Sequence, residues 1–307
     1  MSDQTLSGLV LRLQSGFYYI QTEHGLITCS IRGKLKQGRL NEDLVAIGDH
    51  VQVALSSSTT GAIEKVEPRK NALVRLAPST RGEYKQIFLA NLDLVIFVFA
   101  CTQPEPHLRM LDRFLIIAER QSIPALIVAN KVDLIGKKKA SQLFERYPPL
   151  GYPVLCTSAK TGLGILQLKQ LVKNKVSAFS GPSGVGKTSL LNSIQPGLGI
   201  KVKEVNEVTT KGRHSTVVRE LFSLDGQSFL ADLPGLRSLE LWDIHPEELD
   251  AYFPEMKGLV SQCQFNNCTH RTEPGCAIKD AVDQGKVHPD RYQSYLNLRA
   301  GIKETDW

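Results

Sequence analysis

The stretch "FSGPSGVGKTSLLNS", residues 179–193, contains Gly181-Pro182-Ser183-Gly184-Val185-Gly186-Lys187-Thr188, the pattern GxxxxGK[ST]. Glycines at these positions let successive backbone N–H groups turn inward around phosphates. Lys187 adds a point charge at the β/γ position, and the Thr188 hydroxyl can ligate Mg²⁺. "VSAF" before the loop and "TSLLNSI" after it read as the required strand and helix, so the helix dipole points at the anion. Ser189, next in the first helical turn, belongs to the same candidate set.

Far upstream the chain reads "NKVD", Asn130-Lys131-Val132-Asp133, directly after the apolar run "IPALIVA". It therefore ends a strand, where ligands bind in open α/β sheets. Asp133 can accept from guanine N1–H and the 2-amino group together. A buried carboxylate left unpaired is costly, so adenine is rejected by orders of magnitude. NKxD alone is a weak signal, but "TSAKTG" follows at another strand end. There Ser158-Ala159-Lys160 would bring the Ala159 N–H to the guanine O6. Downstream, "TVVRELFSLDGQSFLADLPG" holds two strand-like runs around an Asp-Gly turn, a hairpin signal. By analogy with other P-loop GTPases, Asp232 would hold the Mg²⁺ shell and the Gly235 N–H would face the γ-phosphate. In the usual order the phosphate loop comes first and NKxD near the end. Here the order is NKVD, SAK, phosphate loop, DLPG, which is a circularly permuted GTPase domain. Such a rotation is permissible because domain termini often lie close enough to rejoin.

The flanks differ in character. Residues 1–70 contain "LSGLVLRL", "FYYIQTE", "GLITCSI", "DHVQVAL" and "GAIEKVE", five short strands suited to a small closed barrel. An OB-fold is expected, with another small β-barrel as the alternative. Residues 71–240 alternate apolar strands with helices, the pattern of a parallel sheet covered on both faces. In residues 241–307, "HPEELDAYF" opens like a capped helix and "HPDRYQSYLNLRAGI" reads as an amphipathic one. Between them lies Cys263-x₄-Cys268-x-His270-x₅-Cys276. Three thiolates and one imidazole form a structural Zn²⁺ set with no open position. Cys29, Cys101 and Cys156 sit in apolar strands and read as small buried hydrophobes.

With 42% hydrophobic and 22% charged residues the composition is that of a globular protein. Its longest apolar run, Leu94 to Cys101, is too short for a membrane span. No signal peptide is read at the N-terminus, so a cytoplasmic location is expected. The net charge of +6 favours a polyanionic partner such as RNA only weakly. Lys34, Lys36, Arg39, Lys211 and Arg213 are candidate phosphate contacts, although an ordinary solvated surface explains any one of them equally well.

Permuted order, the N-terminal barrel, "GPSGVGKTSLLN", "KGRHST", "DLPG" and the Cys/His cluster together resemble the ribosome small-subunit-dependent GTPase A (RsgA) family, across essentially the whole chain. The resemblance implies a late assembly factor of the small ribosomal subunit, binding its rRNA and activated by the subunit. It implies GTP/GDP with Mg²⁺ and one structural Zn²⁺, a monomer, and possible contact with other assembly factors. Ser215 stands where the family has a threonine, which leaves Thr216 the preferred switch Mg²⁺ ligand with Ser215 as the alternative. Leu236 occupies the place of the water-orienting glutamine of Ras-like enzymes, so slow intrinsic hydrolysis is expected. His214 is the candidate replacement, catalytic alongside Lys187 and Asp232, with an RNA-contacting or solvent-exposed histidine as the other reading. Two further functions fit the same residues: an RNA-docked checkpoint with incidental turnover, and a tRNA- or mRNA-directed GTPase.

Overall fold

The computed structural model describes residues 5–36, 42–77, 84–199, 220–233 and 244–301. Its first five strands are β1 (Thr5–Gln14), β2 (Phe17–Thr22), β3 (Gly25–Ile31), β4 (His50–Leu55) and β5 (Thr60–Val66). They close into a barrel in the order β1-β2-β3-β5-β4, with β3 and β5 parallel and the other pairs antiparallel. This is the OB-fold arrangement. Leu6, Val10, Ile20, Ile27, Cys29, Val51, Val53 and Ile63 fill the interior. The two-residue period of a strand sends Leu9 and Leu11 of β1 the other way, into the core of the adjoining α/β unit.

An antiparallel ribbon not anticipated from the sequence, β6 (Ala72–Ala77) with β7 (Tyr84–Ala90), joins the two units. It is stitched to the barrel by Ala90 N–H donating to the Ile47 carbonyl at 2.8 Å and by the Asn91 side-chain amide donating to the Gly48 carbonyl at 2.9 Å.

The α/β unit contains β8 (Leu94–Ala100), β9 (Ala125–Asn130), β10 (Val154–Cys156), β11 (Val176–Ser180), β12 (Phe222–Ser223) and β13 (Phe229–Asp232). They form one sheet in the order β10-β9-β8-β11-β13-β12, parallel except for the β12–β13 hairpin. Every residue of β8 is buried. Val95, Phe97 and Phe99 face α1 (Leu108–Arg120) and α2 (Lys137–Leu143), while Leu94, Ile96 and Val98 face α3 (Ile165–Leu171) and α4 (Lys187–Ile194). A strand buried on both faces has no polar side to alternate, hence its unbroken apolar reading.

The C-terminal unit carries the short helix α5 (Pro254–Lys257), then α6 (Ala277–Asp283) and α7 (Pro289–Arg299). Its core of Leu249, Phe253, Met256, Ile278, Val287 and Tyr295 takes in Ile116 of α1. Two expectations change here. The capped helix at "HPEELDAYF" is a 3-10 segment, Pro246–Tyr252, in which His245 makes no side-chain capping bond; the tighter turn leaves Asp250 largely buried. The amphipathic C-terminal helix buries Arg291, Ser294 and Tyr295 rather than an aliphatic stripe, because it packs on a charged position of α1, Asp112. Among the described residues no helix is long and apolar enough to cross a membrane.

Candidate functional site

The loops that follow β8, β9, β10, β11 and β13 all leave the carboxyl edge of the parallel sheet. That edge gathers the separated sequence motifs into one place. The phosphate loop follows β11, beside Val98 of β8: a Cβ on Gly181 would lie 2.1 Å from the Val98 carbonyl oxygen, at φ +151°. Gly186 has φ +94°, and a Cβ there would lie 2.5 Å from Nδ2 of Asn130. Both positions therefore exclude any side chain, for want of space and because positive φ disfavours L residues.

Asn130, 1% exposed, is the hub. Its Nδ2 donates to the Val185 carbonyl in the phosphate loop at 2.9 Å, and its Oδ1 accepts from Thr157 Oγ1 at 3.0 Å. One amide thus links the NKVD, TSAK and phosphate-binding segments. Lys131, in the left-handed region at φ +62°, donates from Nζ to the Gly184 carbonyl at 2.8 Å and to the Gln103 carbonyl. Val132 is buried, and its N–H reaches the Thr157 carbonyl at 3.2 Å. Asp133 accepts at Oδ1 from Ser158 Oγ at 2.6 Å. Expected as a buried carboxylate, it is instead exposed, in the 3-10 turn Val132–Leu134 that follows β9. Ser158 is fully buried and organises its own turn: its Oγ accepts from Thr161 N–H at 3.2 Å and its carbonyl from Gly162 N–H at 2.9 Å. Ala159 and Lys160 sit within that turn.

Lys187 Nζ donates to the Gly181 and Pro182 carbonyls at 2.7 and 2.8 Å, so it lies across the loop it serves. Ser183, Gly184, Thr188 and Ser189 are exposed. Asp232 ends β13, in register with Phe179 of β11, one strand away from the phosphate loop. His214, Ser215, Thr216, Gly235, Leu236, Lys211, Arg213 and Arg39 lie outside the described residues, as do the side chains of Lys34 and Lys36.

The second candidate centre is the Cys/His cluster. The ligand atoms of Cys263, Cys268, His270 and Cys276 lie within 4.8 Å of one another. Nδ1 of His270 is 3.6 Å from Cys263 Sγ and 3.4 Å from Cys276 Sγ. Tetrahedral ligands at about 2.3 Å (sulfur) and about 2.0 Å (nitrogen) from one Zn²⁺ stand roughly 3.5 Å apart, so the four groups fit such an ion. His270, fully buried, has φ +59°. Its backbone is held by Tyr292 Oη donating to the His270 carbonyl at 2.6 Å and Tyr295 Oη donating to the Thr269 carbonyl at 3.2 Å. Of the other cysteines, Cys29 and Cys101 are buried as expected, whereas Cys156 is only half-buried.

This chain matches the family model described as RsgA GTPase over residues 66–242 and the RsgA N-terminal domain over residues 7–63. The chain belongs to the RsgA GTPase family. Its curated relatives include a protein of Gemmatimonas aurantiaca named small ribosomal subunit biogenesis GTPase RsgA. That protein is 43% identical over 297 residues, covering 95% of this chain and 96% of the relative. A Moorella thermoacetica protein of the same name is 42% identical, covering 97% of each. Among solved structures, YjeQ from Thermotoga maritima superposes with a TM-score of 0.79 at 36% identity, covering 97% of this chain and 99% of that one. YloQ, described as a circularly permuted GTPase, gives a TM-score of 0.75 at 29% identity, covering 98% and 96%. The permuted motif order and the N-terminal domain thus belong together in one family.

Several residues around these centres escaped sequence reading. Gln103 meets Lys131 through its backbone carbonyl, which any residue type would offer, so no signal existed. Asp250 contacts His270 from a separate turn, and Asp112 meets Arg291 across 179 positions.

Proposed function

We propose that this chain is a GTP hydrolase acting in biogenesis of the small ribosomal subunit, docked on rRNA and activated by the subunit. The observation that carries this is the near-complete match to proteins of that name at 42–43% identity. A division of labour follows: residues 1–70 bind RNA, 71–240 bind and hydrolyse GTP, and 241–307 form a zinc-stapled unit. The location is cytoplasmic and the working form a monomer.

In the nucleotide site the phosphate-loop N–H groups and Lys187 hold the phosphates, with Thr188, Thr216 and Asp232 around Mg²⁺. Asp133 and the Ala159 N–H read guanine. The Lys187 contacts with loop carbonyls support this role, since a short turn of Nζ redirects its charge from the loop to an anion. Mg²⁺ neutralises charge on the β- and γ-oxygens when bound. His214 orients the attacking water, and Gly235 meets the γ-phosphate. The Leu236 side chain has no hydrogen-bonding group, so hydrolysis waits for the activated arrangement. The same leucine favours a second reading, a checkpoint in which GTP fixes shape and turnover is incidental.

Two experiments test the proposal. Asp133→Asn should weaken GTP binding on the order of 100-fold or more and improve binding of xanthosine triphosphate, whose C2 carbonyl accepts from the new amide; unchanged GTP affinity would refute the guanine-reading role. His214→Ala should retain nucleotide affinity while lowering subunit-stimulated turnover by about 100-fold or more. Full stimulated turnover in that variant would remove His214 from the mechanism.

A further inference from the structure

The Cys/His cluster is held by more than its four ligands. Nε2 of His270 lies 3.1 Å from Oδ2 of Asp250, while Nδ1 of the same ring faces Cys263 and Cys276. Asp250 is 9% exposed and His270 is fully buried, so water competes little for this contact. A neutral imidazole has one N–H and one lone pair. A carboxylate at Nε2 takes the N–H there and leaves the Nδ1 lone pair aimed at the thiolates.

We propose that Asp250 is a positioning residue for the metal centre, fixing the tautomer and ring orientation in which His270 ligates through Nδ1. The inference rests on the zinc reading of the cluster. Outer-shell carboxylates of this kind raise the basicity of the ligand imidazole and restrict its rotation. Tyr292 and Tyr295 fix the His270 backbone; Asp250 fixes the ring. The consequence reaches beyond the metal. Asp250 belongs to the 3-10 segment Pro246–Tyr252, the first described element after the stretch that follows Asp232. The Asp250–His270 contact therefore fastens the chain entering from the GTPase unit to the Cys/His loop.

The test measures metal affinity in the full-length protein, by Co²⁺ uptake followed through its d–d absorption and by Zn²⁺ competition against a chromogenic chelator. Asp250→Ala should lower affinity about 10- to 100-fold. Asp250→Asn, which can still accept from Nε2–H but carries no charge, should lose less. Ser294→Ala is the control: it removes the 2.5 Å bond from Ser294 Oγ of the C-terminal unit to Asp112 Oδ2 of α1 and should loosen the unit's seat on α1 without altering metal affinity. Affinity in Asp250→Ala equal to wild type, or lowered equally by Ser294→Ala, would overturn the proposal. Should Asp250→Ala fail to fold, Asp250→Leu, of similar size but unable to accept from Nε2–H, decides instead, a severalfold loss supporting the role and an unchanged affinity refuting it. A wild-type chain that takes up neither metal would instead overturn the zinc reading itself.

Discussion

Asn130 shows how one side chain makes a site out of distant segments. Its amide satisfies a carbonyl of the phosphate loop and accepts from the threonine ahead of SAK, in a place closed to water. Asn130→Ala leaves the Val185 carbonyl and the Thr157 hydroxyl unpaired, at a cost of about 1–3 kcal/mol for each group that stays buried. The expected result is a lower urea midpoint together with weakened GDP binding, whereas loss of binding at full stability would mean that Asn130 acts on the nucleotide alone. Burial has a chemical reading at the cysteines as well. It pushes the Cys29 thiol up to about 11, and the Cys101 thiol, also beside Cys156 and Asp133, up to about 12. Thiolate is the reactive form, so at pH 8 iodoacetamide should label Cys29 and Cys101 only as fast as the protein unfolds. Rapid labelling of either, read by mass spectrometry on the native protein, would contradict their placement. These residue-level features were unequally legible. GxxxxGK[ST] and NKxD are contiguous strings whose chemistry demands fixed spacing, so both could be read directly. The bond between them depends on a sheet order that no local pattern encodes.

At the level of elements, α1 and α7 are joined by a buried charge network. Arg291, fully buried, donates to Asp112 Oδ1 at 2.8 Å and to both Glu255 oxygens at 2.7 and 3.1 Å, with its guanidinium 4.6 Å from the Phe253 ring centroid. Tyr147 Oη and Ser294 Oγ donate to the Asp112 carboxylate at 3.0 and 2.5 Å. Burial alone would press the Arg291 pKa down, but Asp112 and Glu255 outweigh it and hold the guanidinium charged. Removing one member strands the others, so Asp112→Ala should cost about 3–5 kcal/mol in denaturant unfolding. Replacing Asp112, Glu255 and Arg291 together with apolar residues of similar volume should be far milder. Equal losses in both variants would mean that the network acts through shape rather than charge. The strands of the barrel were legible as alternating runs bounded by turns, and β8 as an unbroken apolar run. The β6–β7 ribbon and the polar face of α7 were not, because each is explained by a partner far away in the chain.

For the whole molecule, permutation decides what the nucleotide can influence. Leu221 N–H donates to the Leu11 carbonyl at 2.8 Å, and the Glu220 backbone pairs antiparallel with Arg12 of the same barrel strand. The chain just after the KGRHST segment is therefore seated on the OB barrel. It then runs through the β12–β13 hairpin to Asp232 and onward into the Cys/His unit. The described stretch from Glu220 to Asp232 thus comes between the two flanking units in chain order, and α1 carries the C-terminal one through Ile116 and Asp112. This arrangement suits an enzyme whose chemistry and docking are linked. The direct test is the rate of GTP hydrolysis by the purified protein alone, with small ribosomal subunits and with large ones. A slow basal rate raised on the order of 100-fold or more by small subunits only is the predicted result. A rate unchanged by either subunit, despite tight GTP binding, would contradict it.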